Sequence, residues 1–276
     1  MGVFLGGVSS LLYGVGDFLG GEGAKRVTAA TVVLWAGVFS VPLITVSALA
    51  LGGTAETADL VLGAAAGSAG ALGLVTLFAG LGKGYAAAVA PAAAALSGVF
   101  PLVVGVVTGE RLSGLEWVGV AVAVPAIVLC SWVADPGELP MGGVWYGLAA
   151  GLGFGAYTIL INMTSEGSGL LALIPARVAA MVVVAALSAI GVWSVSSFRS
   201  SPVLIIAGNG LLDVSGNVAL LLALRAGSLG RVSIAASFYP AVTVLMARLI
   251  NSEHLAKRQI AGLTLTLFAL SAIAAG

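Results

Sequence analysis

Long apolar runs separated by short polar turns follow one another along the whole chain. Each run holds roughly 18 to 26 residues, and about 20 residues of helix are needed to cross a hydrocarbon core of about 30 Å. The pattern therefore predicts an all-α polytopic membrane protein with ten transmembrane helices and no soluble domain. The predicted helices are residues 3–20, 29–51, 60–82, 85–108, 115–133, 142–162, 170–195, 202–227, 229–250 and 259–275.

The eighth run, residues 202–227, carries polar side chains at a spacing of four: Asn209, Asp213 and Asn217. On an α-helix each step of four turns the side chain by about 40° beyond a full turn, so the three share one narrow face. An ionisable group halfway along a spanning helix costs about 3 kcal/mol or more and should face protein or water. We therefore expect this face to line an internal pathway and bind substrate. The alternative is that both asparagines join helices while Asp213 forms a structural ion pair.

Composition excludes several classes of protein. The chain of 276 residues is 60% hydrophobic and only 8% charged, and its mean hydropathy is +1.15, whereas soluble domains carry about 25% charged residues. Basic and acidic residues are equal in number, which argues against a nucleic-acid partner. The single cysteine, Cys130, and the single histidine, His254, cannot form an internal disulfide or a metal cluster. We therefore expect no enzymatic activity and no cofactor.

The second half of the chain repeats the first. A shift of about 143 residues superimposes Gly67 on Gly210 and Glu110 on Glu253, and a shift of about 141 residues superimposes glycines of the first helix on glycines of the sixth. Each unit holds five helices, an odd number, so the second enters the membrane from the opposite side. Secondary transporters have such inverted repeats, with the substrate site between them. The predicted domains are residues 1–134 and 141–276, joined by a short polar linker.

Two passages carry a resemblance to a known family. One is YGVGDFLGG at residues 13–21; the other comprises Asn217, ALRAG at 223–227, SFYPAVT at 237–243 and the segment from Glu253 to Gln259. Both resemble the EamA-type ten-helix branch of the drug/metabolite transporter superfamily, and the chain is similar to the bacterial amino-acid and metabolite exporters. The resemblance implies two EamA units of five helices and both termini in the cytoplasm.

The first unit departs from the family's pattern. Ser97 stands in the place of Pro240, and an Ala-Leu pair stands in the place of Phe238 and Tyr239. Helix 3 also has apolar residues at the places where helix 8 has its polar face. We therefore expect the two halves to contribute unequally to the site.

Three charged residues are candidates for substrate binding or coupling. Arg177 in helix 7 and Asp213 in helix 8 lie at comparable depth, because the two helices run antiparallel. They form a structural pair, a gate, or a site for a zwitterion whose carboxylate binds Arg177 and whose ammonium binds Asp213; unpaired, Asp213 could carry a proton. Asp17 lies a turn or less from the end of helix 1. It serves coupling or cation binding, or it simply reaches interfacial water.

Three tyrosines and one serine complete the predicted substrate site. Tyr13 and Tyr157 lie deeper in their helices than four of the five tryptophans, which cluster near helix ends as membrane anchors; Trp35, inside helix 2, is the exception. Tyr239 and Ser237 lie in the middle of helix 9. For the serine hydroxyl, the alternative is a hydrogen bond to its own helix.

Prolines are predicted to interrupt helices 4 and 9. Pro240 lacks an amide hydrogen and leaves a carbonyl free, which is tolerated where a cavity or a neighbour satisfies it. By the repeat, Pro91 and Pro101 should break helix 4. We assign gating roles to Pro91 and Pro240. We also expect Glu110 and Glu253 to cap the helix that follows each of them.

The charge distribution and the family resemblance disagree about the side of the membrane on which the termini lie. Loops on the N-terminal side hold three arginines and those on the opposite side hold six lysines or arginines. The positive-inside rule would therefore place both termini outside. The family resemblance implies the reverse, and we follow the family.

These observations indicate a secondary transporter of a bacterial inner membrane that works by alternating access. The expected substrate is a small polar or amphipathic metabolite, first an amino acid or related amine, and export is the expected direction. An importer or a drug or cation transporter of the same fold is the alternative, and a non-transporting scaffold is another. The chain has no G-x-x-x-x-G-K-[ST] motif for ATP, so a proton gradient or simple exchange would drive transport. The protein is expected to be a monomer or a homodimer in the lipid bilayer.

Overall fold

A computed structural model of the protein describes residues 1–83, 85–130, 141–197, 202–251 and 257–276. Within these ranges the chain forms eleven α-helices, one short 3₁₀ helix and no β-strand. The helices are α1 (Gly2–Ala24), α2 (Ala29–Leu51), α3 (Thr57–Gly82), α4 (Ala86–Val107), α5 (Gly114–Cys130), α6 (Met141–Asn162), the 3₁₀ helix (Glu166–Ser168), α7 (Leu173–Ala189), α8 (Val203–Arg225), α9 (Leu229–Ala236), α10 (Tyr239–Asn251) and α11 (Lys257–Ala275).

The ten predicted helices correspond to these elements in order. The first eight match α1 to α8, the ninth is divided into α9 and α10, and the tenth is α11. In the described ranges seven helices are both long and apolar enough to cross a membrane, while α5 and α7 are shorter apolar helices. The chain is thus an all-helical, multi-pass membrane protein. The predicted end of helix 5 at residue 133, the polar linker, Glu253 and His254 lie outside the described residues.

Two helices begin or end at places other than those predicted. Helix α1 continues to Ala24 instead of ending near residue 20. Helix α7 covers Leu173–Ala189 instead of 170–195, and it is bounded by glycines with positive φ, Gly169 at 53° and Gly191 at 79°. Glycine adopts this left-handed conformation without the steric cost of a Cβ atom, so the chain turns there.

The ninth predicted helix breaks where its proline suggests. Helix α9 ends at Ala236, Ser237 and Phe238 form a turn, and α10 starts at Tyr239. Pro240 has no amide hydrogen to donate to the carbonyl of Ala236, four residues earlier, so the helix cannot continue unchanged through this point.

The predicted break in helix 4 is wrong. Helix α4 runs without interruption through Pro91 and Pro101. The residue at the place of Pro240 is Ser97, which keeps its amide hydrogen and whose hydroxyl donates to the carbonyl of Ala94 at 3.0 Å. A proline in a spanning helix can be tolerated when neighbouring groups satisfy the carbonyl it frees, and here the helix stays whole.

The prediction that Glu110 caps the helix after it is also wrong. Its carboxylate accepts hydrogen bonds from the Ser228 hydroxyl and from the Gly230 amide at 2.9 Å, at the start of α9. The free amides and positive dipole end of a helix N-terminus favour a carboxylate there. Helix α5 is capped instead by Ser113 and Glu116, whose side chains each accept a hydrogen bond from the other residue's amide, at 3.2 Å and 2.6 Å.

Helices from the two halves interleave. Helix α1 packs against α8, α9 and α10, while α6 packs against α3 and α4; α2 lies against α7 and α8, α3 also packs on α7, and α5 pairs with α11. Small residues allow the closest of these approaches. A Cβ atom at Gly67 of α3 would overlap the backbone of Ala176 in α7, and one at Gly210 of α8 would overlap the backbone of Ala36 in α2.

We predict that Gly67→Ala destabilises the protein. The added methyl would force α3 away from α7, and overpacking of this kind costs about 1–3 kcal/mol. Gly7→Ala is the matched control, because a Cβ atom at Gly7 of α1 meets nothing within 4 Å, and alanine favours the helix by about 1 kcal/mol. The midpoint of thermal unfolding in detergent should fall for Gly67→Ala and stay or rise for Gly7→Ala. Equal midpoints would show that the α3–α7 approach is not tight.

Candidate functional site

A cavity lies in the middle of the protein, surrounded by α1, α3, α4, α6, α7, α8, α9 and α10. Its volume of about 100 Å³ is several times the roughly 10–15 Å³ needed to hold one water molecule. Helices of both halves contribute to its wall. The residues predicted from the sequence that line it are Tyr13, Asp17, Tyr157, Arg177, Asp213, Asn217, Ser237 and Tyr239.

Four of these side chains form a continuous polar chain. The Arg177 guanidinium donates to the Asp213 carboxylate. The Asn217 amide donates to the same carboxylate at 3.2 Å and to the Asp213 backbone carbonyl at 2.8 Å. The Tyr13 hydroxyl donates to the Asn217 side-chain oxygen at 3.1 Å. Helices α1, α7 and α8 are thereby joined, and the Asp213 charge is balanced by an arginine and an amide.

Asn209 does not line this cavity. Its side-chain amide donates to the backbone carbonyl of Gly16 at 2.8 Å, and only 3% of the residue is exposed. About two turns further along the same contact, the Ser9 hydroxyl donates to the carbonyl of Gly216 at 2.9 Å. Asn209 therefore joins α8 to α1. Of the predicted polar face, only Asp213 and Asn217 line the cavity.

Asp17 lies deeper than the sequence suggested. Because α1 continues to Ala24, Asp17 is about two turns from the end of the helix, 8% exposed, and on the cavity wall. The prediction that it lies within one turn of the end is wrong. The end of α1 is marked instead by an exposed ion pair between Glu22 and Lys25 at 2.6 Å.

Part of the cavity wall is apolar. Gly70 and Leu74 of α3 line the cavity. Phe154 of α6 packs edge-on against the Tyr239 ring, with 6.4 Å between ring centroids. Sequence reasoning did not select Phe154, although it lies one helical turn before Tyr157 and thus on the same face. In so apolar a chain, one more phenylalanine in a helix does not by itself indicate a place on the cavity wall.

Ser237 borders the cavity, whereas the two prolines predicted to act in gating do not. The Ser237 hydroxyl donates to the backbone carbonyl of Ile234 at 2.8 Å, the local alternative foreseen for it, while Ser237 still borders the cavity. Pro240 follows Tyr239 at the start of α10, and Pro91 lies inside the continuous helix α4. Neither proline is among the cavity-lining residues.

The chemistry available in the cavity is recognition by charge and hydrogen bonding. It contains one acidic side chain, one ion pair, an amide, three tyrosines and several serine or threonine hydroxyls. In the described part of the chain, no group of three or more histidine, cysteine, aspartate or glutamate residues could hold a metal ion. The arrangement suits reversible binding of a small molecule with polar and apolar parts.

We predict strong energetic coupling between Arg177 and Asp213. Arg177→Met would leave the Asp213 charge buried without its partner, which costs about 3–5 kcal/mol of folding free energy, whereas replacing both residues by apolar ones costs much less. A double-mutant cycle with Asp213→Leu, read by unfolding in detergent, should therefore be far from additive. The exposed pair Glu22 and Lys25 is the control, with a coupling of about 1 kcal/mol or less. Additive effects at Arg177 and Asp213 would contradict the pairing.

Comparison with known proteins identifies the second half. Residues 141–275 match the EamA-like transporter family. A comparison with curated proteins finds no match. Thirteen solved chains match in structure; one of them, described only as a crystal structure of a protein, has a TM-score of 0.76 and 14% sequence identity, with 99% of this chain and 98% of that chain covered. At this identity the likeness shows the fold alone.

The protein therefore carries a domain of the EamA-like transporter family, part of the drug/metabolite transporter superfamily. The family indicates a transporter of the drug/metabolite type, in a chain that crosses the membrane several times. The resemblance drawn from residues 217–259 is confirmed at the level of the family, whereas residues 13–21 lie outside the matched segment.

Proposed function

We propose that the protein is a secondary transporter that binds its substrate in the central cavity and moves it by alternating access. The observation that carries this proposal is a cavity between the helices whose wall includes a buried ion pair, Arg177 and Asp213, together with Asp17. Charged side chains inside a bilayer are costly and usually mark a substrate or ion pathway. A membrane scaffold has no need of them.

The packing supports two inverted units of five helices. The partners of α1 and of α6 correspond under the predicted repeat: α8 corresponds to α3, and α9 with α10 corresponds to α4. Equivalent glycines make equivalent contacts, since Gly73 faces the Phe154 ring and Gly216 faces the Tyr13 ring. A substrate site between such units is the usual arrangement in secondary transporters.

The break in the ninth predicted helix is the point at which the chain could bend during transport. Tyr239 lines the cavity directly before Pro240, where α9 and α10 are separated by a turn. Discontinuous helices at mid-membrane commonly build substrate sites, because their free backbone groups face the cavity. We assign the gating role to this break, and the structure offers no comparable break at Pro91.

The proposed substrate is a small polar or amphipathic metabolite, with amino acids and related amines first. The cavity supports this choice through its combination of charged groups with tyrosine and phenylalanine rings. We propose export across a bacterial inner membrane, with both termini in the cytoplasm, driven by a proton gradient or by exchange. The transporter would act as a monomer or a homodimer.

We predict that Asp213→Asn abolishes or uncouples transport in proteoliposomes, because the neutral amide no longer balances Arg177 in the cavity wall. Uptake, its pH dependence and substrate affinity should be measured together on protein shown to be folded. Glu22→Gln is the matched control, since it also neutralises an acid but lies at the exposed end of α1. Wild-type behaviour of Asp213→Asn in all three measurements would contradict the proposal.

A further inference from the structure

The charges around the cavity do not balance. In the part of the chain that the structure describes, three charged side chains line it: Arg177, Asp213 and Asp17. All three residues are less than one-tenth exposed. One positive and two negative groups leave a single negative charge when both acids are ionised, in a place where an unbalanced charge is expensive.

Asp213 is already satisfied by the protein. Its carboxylate accepts from the guanidinium of Arg177 and from the amide of Asn217, and Asn217 is held in turn by the Tyr13 hydroxyl. Both bonds go to Oδ2 of Asp213, so a substrate ammonium at Oδ1 would meet a carboxylate whose charge Arg177 already balances. The zwitterion predicted from the sequence to bridge Arg177 and Asp213 would have to compete with this buried ion pair.

Asp17 is the acid without a partner. Among the described residues, none forms an ion pair or a hydrogen bond with its side chain. The Asp213 carboxylate lies close enough to repel it. The Tyr239 hydroxyl interacts electrostatically with Asp17 and is buried; it lies near the Ser97 hydroxyl, but in the described part of the chain no hydrogen bond to it has regular geometry. Asp17 of α1 and Tyr239 of α10 therefore bring two weakly satisfied polar groups to the cavity.

The geometry points to a substrate class: a monocationic amine without a carboxylate, whose ammonium donates to Asp17 and Tyr239. This inference rests on the proposed transport function and narrows its substrate. A single positive charge neutralises the cavity, and an ammonium supplies the donors that both oxygens lack. The apolar part of the amine lies against Phe154 and Leu74, which line the same cavity. A zwitterion would leave the negative charge unbalanced.

Titration calorimetry with paired ligands tests this inference. The pairs are 2-phenylethylamine against phenylalanine and tyramine against tyrosine, added to the purified full-length protein. We expect each amine to bind at least about tenfold more tightly than its amino acid, the effect of one charged hydrogen bond of about 1.5–3 kcal/mol. Equal or tighter binding of the amino acids would overturn the assignment.

Variants locate the ammonium. Asp17→Asn should lose about tenfold or more in amine affinity, and Asp17→Glu should restore part of it, since charged hydrogen bonds are the strong ones. Tyr239→Phe keeps the ring and should weaken amine binding several-fold. Glu22→Gln should bind amines as the native protein does. Native amine affinity in folded Asp17→Asn would overturn the role of Asp17.

Failure of this inference differs from failure of the transport proposal. Proteoliposomes loaded with amino acids are assayed for counterflow in parallel. Counterflow of amino acids without amine binding would overturn the amine assignment and leave a transporter. Absence of both counterflow and binding would overturn both.

Discussion

The buried ion pair between Arg177 and Asp213 is the interaction on which the rest of the interior depends. An unpaired charge in the membrane-spanning part of the protein is costly, and each of these two charges lowers that cost for the other. The pair holds α7 against α8, and Asn217 with Tyr13 extends it to α1. These four side chains are hydrogen-bonded to one another and form a polar part of the cavity wall.

Close approach of helix backbones shapes another part of the cavity wall. Glycines such as Gly67 let α3 approach α7, and Gly70 and Leu74 give an apolar surface at the places where α8 has Asp213 and Asn217. Two sequence-related halves thus contribute different chemistry to one space. A cavity with a charged side and an apolar side recognises a molecule by both ends.

Much of this arrangement could be predicted from the sequence, for identifiable reasons. Apolar runs fix the number of helices, the rarity of intramembrane charges brings Arg177 and Asp213 together, and Pro240 marks a break because its missing amide hydrogen is a local property. The remainder depends on neighbours. The extension of α1 past Asp17, the continuity of α4 and the contact of Asn209 with Gly16 are decided by packing between helices distant in sequence. Spacing along one helix cannot distinguish an asparagine that joins helices from one that faces a cavity.

Solvent access along α8 tests most directly whether the cavity is a pathway. In a background with Cys130 replaced by serine, Asn217→Cys, Asn209→Cys and Leu211→Cys should be treated with a water-soluble methanethiosulfonate reagent in proteoliposomes. Asn217 lines the cavity, Asn209 is buried against α1, and Leu211, halfway along α8, is 43% exposed but does not line the cavity. The account predicts rapid labelling at position 217, slowed by bound substrate, and little labelling at positions 209 and 211. Labelling at 217 no faster than at 209 would contradict it.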